Sequence, residues 1–369
     1  MIKKHINKVD YLRGVAILLV ISFHILYFIY PDYSRTTYSK SGILEIENTR
    51  SFILNFNPIS QGWIGVVLFL VISGFLIHLI YLQNSITYKW KEFFSKRFWR
   101  IYPLYFLVLL FFIINRYDSS TQIFKDVSTH LFLTHNLTDN TFFSINPSFW
   151  TIALEVQLYL LYPILIFMVK KMNIDITLFL LFLLTVLICL IHFIFRINSP
   201  AFGAFFMLKY WFVWTSGAWL ADRYFHNKRI FNRPFLAFLL FYFLFFVFKY
   251  FLFTNYLILI PASFACIAFL EFVLHRSFSN RFVVNRSIKK FLKFTGVCSY
   301  SIYLIHQPFL GNLFRFYIVD APNQYANILI SVFFTFSTIF LISYSLYQLF
   351  ELPSISMGER IRKKGRFFF

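Results

Sequence analysis

Ile176-Thr-Leu-Phe-Leu-Leu-Phe-Leu-Leu-Thr-Val-Leu-Ile-Cys-Leu-Ile-His-Phe-Ile-Phe195 runs without a single Lys, Arg, Asp or Glu. At about 1.5 Å of rise per residue, a helix of this length spans about 30 Å, the thickness of a bilayer's hydrocarbon core. Runs of the same kind recur at Val15 to Tyr30, Val66 to Tyr81 and Ile328 to Phe350. Composition agrees: of 369 residues, 59% are hydrophobic, 23% aromatic and 14% charged, against about 25% charged in a soluble domain. The sequence therefore predicts an all-α integral membrane protein. Its roughly ten spans fall near 11–30, 62–82, 98–115, 148–169, 176–195, 204–221, 235–253, 256–274, 295–315 and 326–350. Connections are short and no internal repeat is visible, so residues 1–369 read as a single transmembrane domain.

The net charge of +20 follows the membrane rather than a nucleic acid. With the N-terminus inside, the cytoplasm receives Lys3, Lys4, Lys8, Arg13, Lys89 to Arg100, Lys170 and Lys171. It also receives Arg223 to Arg233, Arg276 to Lys293 and the tail Arg360 to Arg366. Most of the 35 basic residues then lie on one side, which is the positive-inside bias and makes both termini cytoplasmic. These charges are suited to anionic lipid headgroups. Tyr88 to Tyr102 mixes basic and aromatic residues and predicts an interfacial helix leading into span three. Cys189, Cys266 and Cys298 lie inside spans without metal-ligand spacing, so no metal site is expected. Span one carries an Arg and a His and has no small-residue cleavage site, so it reads as a permanent helix.

Ionisable groups inside spans cost about 2.5–3.5 kcal/mol each, so each one asks for a reason. His24 stands eleven residues beyond Arg13 in Arg13-Gly-Val-Ala-Ile-Leu-Leu-Val-Ile-Ser-Phe-His24, roughly 16 Å along a helix. Glu155 sits in Pro147-Ser-Phe-Trp-Thr-Ile-Ala-Leu-Glu155, and His306 in Tyr300-Ser-Ile-Tyr-Leu-Ile-His306-Gln-Pro308. The three groups come out at similar depth, and an imidazole beside a carboxylate in low dielectric is how a general base is held. The alternatives are a hydrogen-bonding role for His24, a structural partnership of Glu155 with a Trp, Tyr or Arg, and a structural role for His306 near Pro308. Arg97 and Arg100, in Lys96-Arg97-Phe-Trp-Arg100-Ile-Tyr-Pro103, share a helix face. They read either as plain cytoplasmic charges or, with Arg13, as a grip for phosphates. A phosphate grip some 16 Å from a base would suit a donor with a phosphorylated head and a long reactive arm.

Five motifs together resemble the acyltransferase-3 family of membrane O-acyltransferases, which modify bacterial surface polysaccharides. They are Asp10-Tyr-Leu-Arg13-Gly14 with His24; Gly62-Trp-Ile-Gly65 with Phe69-Leu-Val-Ile-Ser73-Gly74-Phe75; Arg97-Phe-Trp-Arg100-Ile-Tyr-Pro103; Ser148-Phe-Trp150-Thr-Ile-Ala-Leu-Glu155 through Tyr159; and Tyr300-Ser-Ile-Tyr303-Leu-Ile-His306-Gln-Pro308. The resemblance implies acyl-coenzyme A as donor, acetyl-CoA by default, and helices around a central tunnel. It implies a bacterial inner-membrane location and a surface polysaccharide or lipid-linked glycan as acceptor. His24 would be the base or transient acyl carrier, with Glu155 as its catalytic companion. Arg13, Arg97 and Arg100 would serve the coenzyme A side, and Asp10, Ser73, Trp150, Tyr303 and His306 are further pocket candidates. Many relatives append a hydrolase-like domain. This sequence stops soon after span ten, so a second transfer step would fall to a separate polysaccharide-assembly protein. The competing reading is a transporter or lipid-linked glycan flippase using the same charged groups. The outer segments 31–61 and 115–147 would shape acceptor choice.

Overall fold

The structure, a computed structural model, describes residues 2–29, 55–116, 122–197, 204–275, 285–317 and 324–364. Most of the segment 31–61, residues 276–284 of the basic stretch and residues 365–369 of the tail lie outside the described residues. The described residues form helices and no strand. In chain order these are α1 (Ile2–Ile29), α2 (Ile64–Gln83), α3 (Trp90–Arg116), α4 (Ile123–Leu131), α5 (Asp139–Phe142), α6 (Trp150–Ile194) and α7 (Ala204–Phe225). They continue with α8 (Pro234–Tyr250), α9 (Leu252–Asn255), α10 (Leu259–His275), α11 (Arg286–Val297), α12 (Ser299–Tyr317), α13 (Gln324–Leu346) and α14 (Leu352–Lys363). Stretches of α1, α2, α3, α6 and the α13–α14 run are long and apolar enough to cross a membrane, and α8 and α10 are shorter apolar helices. The chain is a multi-pass membrane protein.

Two local features depart from the boundaries expected from sequence. The interfacial segment before span three is continuous with it in α3. Spans four and five form the single run α6, broken at Asn173, whose φ of 68° is non-helical. Asn tolerates the left-handed region better than most residues. Its Oδ1 accepts the Ile176 N–H at 3.0 Å, starting the next helix as a cap. Behind the break, Asp175 accepts from Trp219 Nε1 at 2.8 Å and pairs with Arg223 on α7.

The chain divides into two compact units, residues 1–85 with 160–297, and residues 86–159 with 298–369. The first is built on close backbone approach. A Cβ on Gly74 of α2 would come within 2.0 Å of the Trp214 carbonyl oxygen, and one on Gly217 of α7 within 2.0 Å of the Val71 oxygen. Only glycine lets these two backbones touch, and small residues are how helices associate where lipid replaces water. The same device joins α1 to α11: a Cβ on Gly296 would meet Asp10 O at 1.8 Å, and one on Gly14 would meet Leu292 O at 2.2 Å.

The second unit is organised around two prolines inside helices. Pro103 and Pro308 lack an N–H, which leaves the carbonyl four residues back without its helical donor. Those carbonyls belong to Trp99 and Leu304. Ser354 Oγ donates to Trp99 O at 2.6 Å, and Asn146 Nδ2 donates to Leu304 O at 2.8 Å. Each proline thus becomes a docking point for a distant segment of the same unit.

Candidate active site

The first unit carries Asp10, Arg13, His24 and Ser73. Because α1 is one helix from Ile2 to Ile29, eleven residues make three turns plus about 20°, placing Arg13 and His24 on one face roughly 16 Å apart. Both side chains are half-buried. The turn from Asp10 to Gly14 is the turn that Gly296 and Leu292 of α11 press against, so the backbone beneath Arg13 is held by packing. Ser73 Oγ accepts from Trp214 Nε1 at 3.3 Å, and its neighbour Gly74 lies against the same residue. Ser73, Gly62, Gly65 and Gly74 are thus contacts between helices. A further polar group of this unit escaped the sequence reading. His78 of α2 is buried, and its Nδ1 lies 3.2 Å from the Tyr162 hydroxyl. The signal was present: an imidazole in the apolar run Phe75-Leu-Ile-His78-Leu-Ile.

The second unit carries Arg97, Arg100, Trp150, Glu155, Tyr303 and His306. The Arg97 guanidinium lies over the Tyr159 ring, 5.3 Å from its centroid, and 5.5 Å from that of Phe93. Tyr159 stands one helical turn after Glu155 and donates its hydroxyl to the Glu155 carboxylate. An arginine, an aromatic ring and a carboxylate thus form one chain of contacts between α3 and α6. Buried Tyr300 reaches the same stretch of α3: its hydroxyl donates to Ile101 O at 2.7 Å, next to Arg100. Among the described residues neither arginine has a carboxylate within ion-pair distance, and Arg97 Nε is buried without a hydrogen-bond partner. A guanidinium held by stacking, as Arg97 is, with its Nε unspent, is suited to an incoming phosphate or carboxylate.

His306 is buried, and its Nδ1–H donates to Tyr303 O at 2.7 Å, an assignment that follows because a carbonyl can only accept. That leaves Nε2 as the basic nitrogen. Ser148 Oγ reaches the same Tyr303 oxygen at 3.4 Å, next to the Asn146 bond to Leu304 O. The start of α6 and the middle of α12 are therefore joined around His306. Trp150, half-buried at the head of α6, stacks on Phe142 at 5.7 Å. Two turns further along α6, Gln157 exchanges amide hydrogen bonds with Asn136 at 3.0 and 2.7 Å and donates to Leu133 O at 2.9 Å. The segment before α6 is thereby tied to the helix that bears Glu155. No group of residues suited to a metal ion occurs among the described residues.

Comparison with known proteins places these residues in a family. A family model described as an acyltransferase domain, the acyltransferase-3 domain, matches residues 6–347. The peptidoglycan O-acetyltransferase OatA of Listeria monocytogenes is 26% identical over 179 residues, covering 44% of this chain and 24% of that protein. The O-acetyltransferase OatA of Staphylococcus aureus is 34% identical over 170 residues, covering 40% of this chain and 28% of its own length. The chain thus aligns with about a quarter of the length of each of these relatives. No solved structure matches. With the matched region running from the first turns of α1 to the end of α13, the chain belongs to the acyltransferase-3 family.

Proposed function

We propose that the chain is a membrane O-acyltransferase that carries an acyl group, acetyl by default, from cytoplasmic acyl-CoA to a hydroxyl of a polysaccharide on the far side. The observation that carries this reading is the pair Arg97 and Arg100, set in a membrane protein of an acyltransferase family without ion-pair partners among the described residues. Coenzyme A brings phosphates to such a pair, and in the first unit Arg13 and His24 stand roughly 16 Å apart on one face of α1. Ten crossings around a central tunnel, both termini cytoplasmic, in a bacterial inner membrane, complete the proposed arrangement. That the Listeria relative is a peptidoglycan O-acetyltransferase makes a cell-wall or lipid-linked glycan the first acceptor to try.

In the reaction the acceptor oxygen attacks the thioester carbonyl. The C–O bond forms, the C–S bond breaks, and His24 takes the hydroxyl proton and returns it to the departing thiolate. In a two-step variant the imidazole nitrogen is acylated first, releasing coenzyme A, and the glycan hydroxyl then receives the acyl group. Glu155 acts as the second catalytic residue, with Tyr159 and Arg97 holding its carboxylate in place. The deciding experiment is mass spectrometry of surface glycans from cells with the intact gene, without it, and with His24→Ala. An acyl mass increment present only with the intact protein is the expected result. An unchanged glycan in all three strains would overturn the reading and turn attention to transport of a glycan or its carrier.

A further inference from the structure

Glu351 stands just beyond the matched region, in a segment whose polarity is inverted. Leu349, Phe350 and Leu352 are 66%, 43% and 40% exposed, whereas Glu351 between them is 2% exposed. Apolar groups outward and the charge inward is the pattern of a membrane-embedded segment that turns its one carboxylate toward the protein. The backbone explains how. Tyr347–Glu351 is a π turn, with the Leu352 N–H bonded to Tyr347 O five residues back, and Pro353 follows immediately. The extra residue in that turn rotates Glu351 off the lipid-facing side, and single π turns of this kind recur at functional sites. The carboxylate arrives at the first turn of α12, where Ser301 Oγ donates to it at 2.5 Å.

Its neighbourhood is that of the arginines. Tyr300, the residue before Ser301, donates its hydroxyl to Ile101 O, the carbonyl of the residue next to Arg100. The second unit therefore brings the Glu351 carboxylate, through Ser301 and Tyr300, toward the backbone that carries Arg100. This bears on turnover. Donor and product share the same phosphates, and only the acyl group distinguishes them. A site of bare arginines would hold the spent coenzyme A as tightly as the loaded one.

We propose that Glu351, held by Ser301 next to the Tyr300 whose hydroxyl bonds the backbone beside Arg100, is a positioning residue of the donor site whose charge weakens the hold on the phosphates so that the product leaves. The inference rests on the donor reading given above. It deepens that reading by naming the residue that sets the affinity.

The test is direct titration of coenzyme A into the purified protein in nanodiscs, with steady-state acyl transfer measured alongside. Glu351→Gln preserves shape and an acceptor for Ser301 while removing the charge. The expected result is coenzyme A bound about tenfold more tightly at low salt, converging toward wild type as salt rises. The turnover number should fall while KM for the donor falls with it. Ser301→Ala, which removes the hydrogen bond and keeps the charge, should leave coenzyme A affinity unchanged. Equal affinity in the wild type and Glu351→Gln overturns the proposal, as does a tightening produced equally by Ser301→Ala. Loss of the folded protein in Glu351→Gln overturns it too, since it assigns the carboxylate to stability alone. A wild-type protein that binds coenzyme A but ignores the Glu351 charge leaves the donor reading standing. One that binds none overturns both.

Discussion

The two units solve the problem of helix association in lipid by different chemistry. In the first, glycines bring backbones together: Gly74 against Trp214, Gly217 against Val71, Gly14 against Leu292, Gly296 against Asp10. In the second, side chains reach across to carbonyls that prolines have released, Asn146 to Leu304 and Ser354 to Trp99. Gly358 there lies nearest to the Trp99 side chain. The first mode is a matter of volume and tolerates almost no change of shape. The second is a matter of direction, and places donors and acceptors with angular precision where a polar cluster must be kept in register. It is the second unit that carries Arg97, Arg100, Glu155 and Glu351.

If that contrast holds, it breaks most visibly at the glycines. Gly217→Val puts a Cβ within 2.0 Å of the Val71 oxygen, and neither helix can move without parting from the other. The expected loss is at least about 3 kcal/mol, read as a collapse in the yield and melting temperature of detergent-purified protein. A variant melting like the wild type would show that α2 and α7 are not in backbone contact.

The prolines should give a smaller, graded effect. Asn146→Ala leaves the Leu304 carbonyl buried without its donor, at a cost of about 1–3 kcal/mol. The double variant Asn146→Ala with Pro308→Ala restores a helical N–H for that carbonyl and should recover part of the loss. Absence of any recovery would mean that the proline is not what created the demand.

The smallest effect concerns pH. In the segment preceding α6, His130 and His135 are fully buried, and their rings stack with centroids 3.9 Å apart. Burial lowers the pKa of both, and the neighbouring His130 lowers that of His135 further. The Asp126 carbonyl accepts from His130 Nδ1 at 2.7 Å, pulling the other way for His130. A depressed imidazole pKa means the unfolded segment binds more protons. The stability these rings contribute is complete above the ordinary imidazole value of about 6.5 and declines as pH falls below it. Amide protection factors in residues 122–149, corrected for the intrinsic pH dependence of exchange, should fall between pH 7.5 and 5.5, and His135→Phe should flatten that dependence. Protection independent of pH would show that the pair is hydrated.

Much of this molecule was legible in its sequence. The apolar runs announce a membrane protein because the thickness of hydrocarbon is fixed and a helix rises by a constant amount per residue. Lys170, Lys171 and Asn173 mark the break in α6 by the ordinary signals of a helix end and a cap. The Arg13–His24 separation is likewise local, set by covalent spacing once α1 is continuous. Glu351 was overlooked because, at the end of span ten, it resembles any charge near a membrane surface. Only the π turn turns it inward.

By itself, then, the sequence determined the membrane class, the all-helical class and the five motifs, because each of these depends on residues close together along the chain. Tertiary structure alone decided that Arg97 lies on Tyr159, that Tyr159 bonds Glu155, and that Ser301 meets Glu351. It also decided which side chains answer the carbonyls freed by Pro103 and Pro308. Those pairings join α3 to α6 and α14, α12 to the segment before α6, and α12 to the end of α13. Hydrophobic periodicity records which face of a helix is buried, but it carries no information about which distant partner will meet that face.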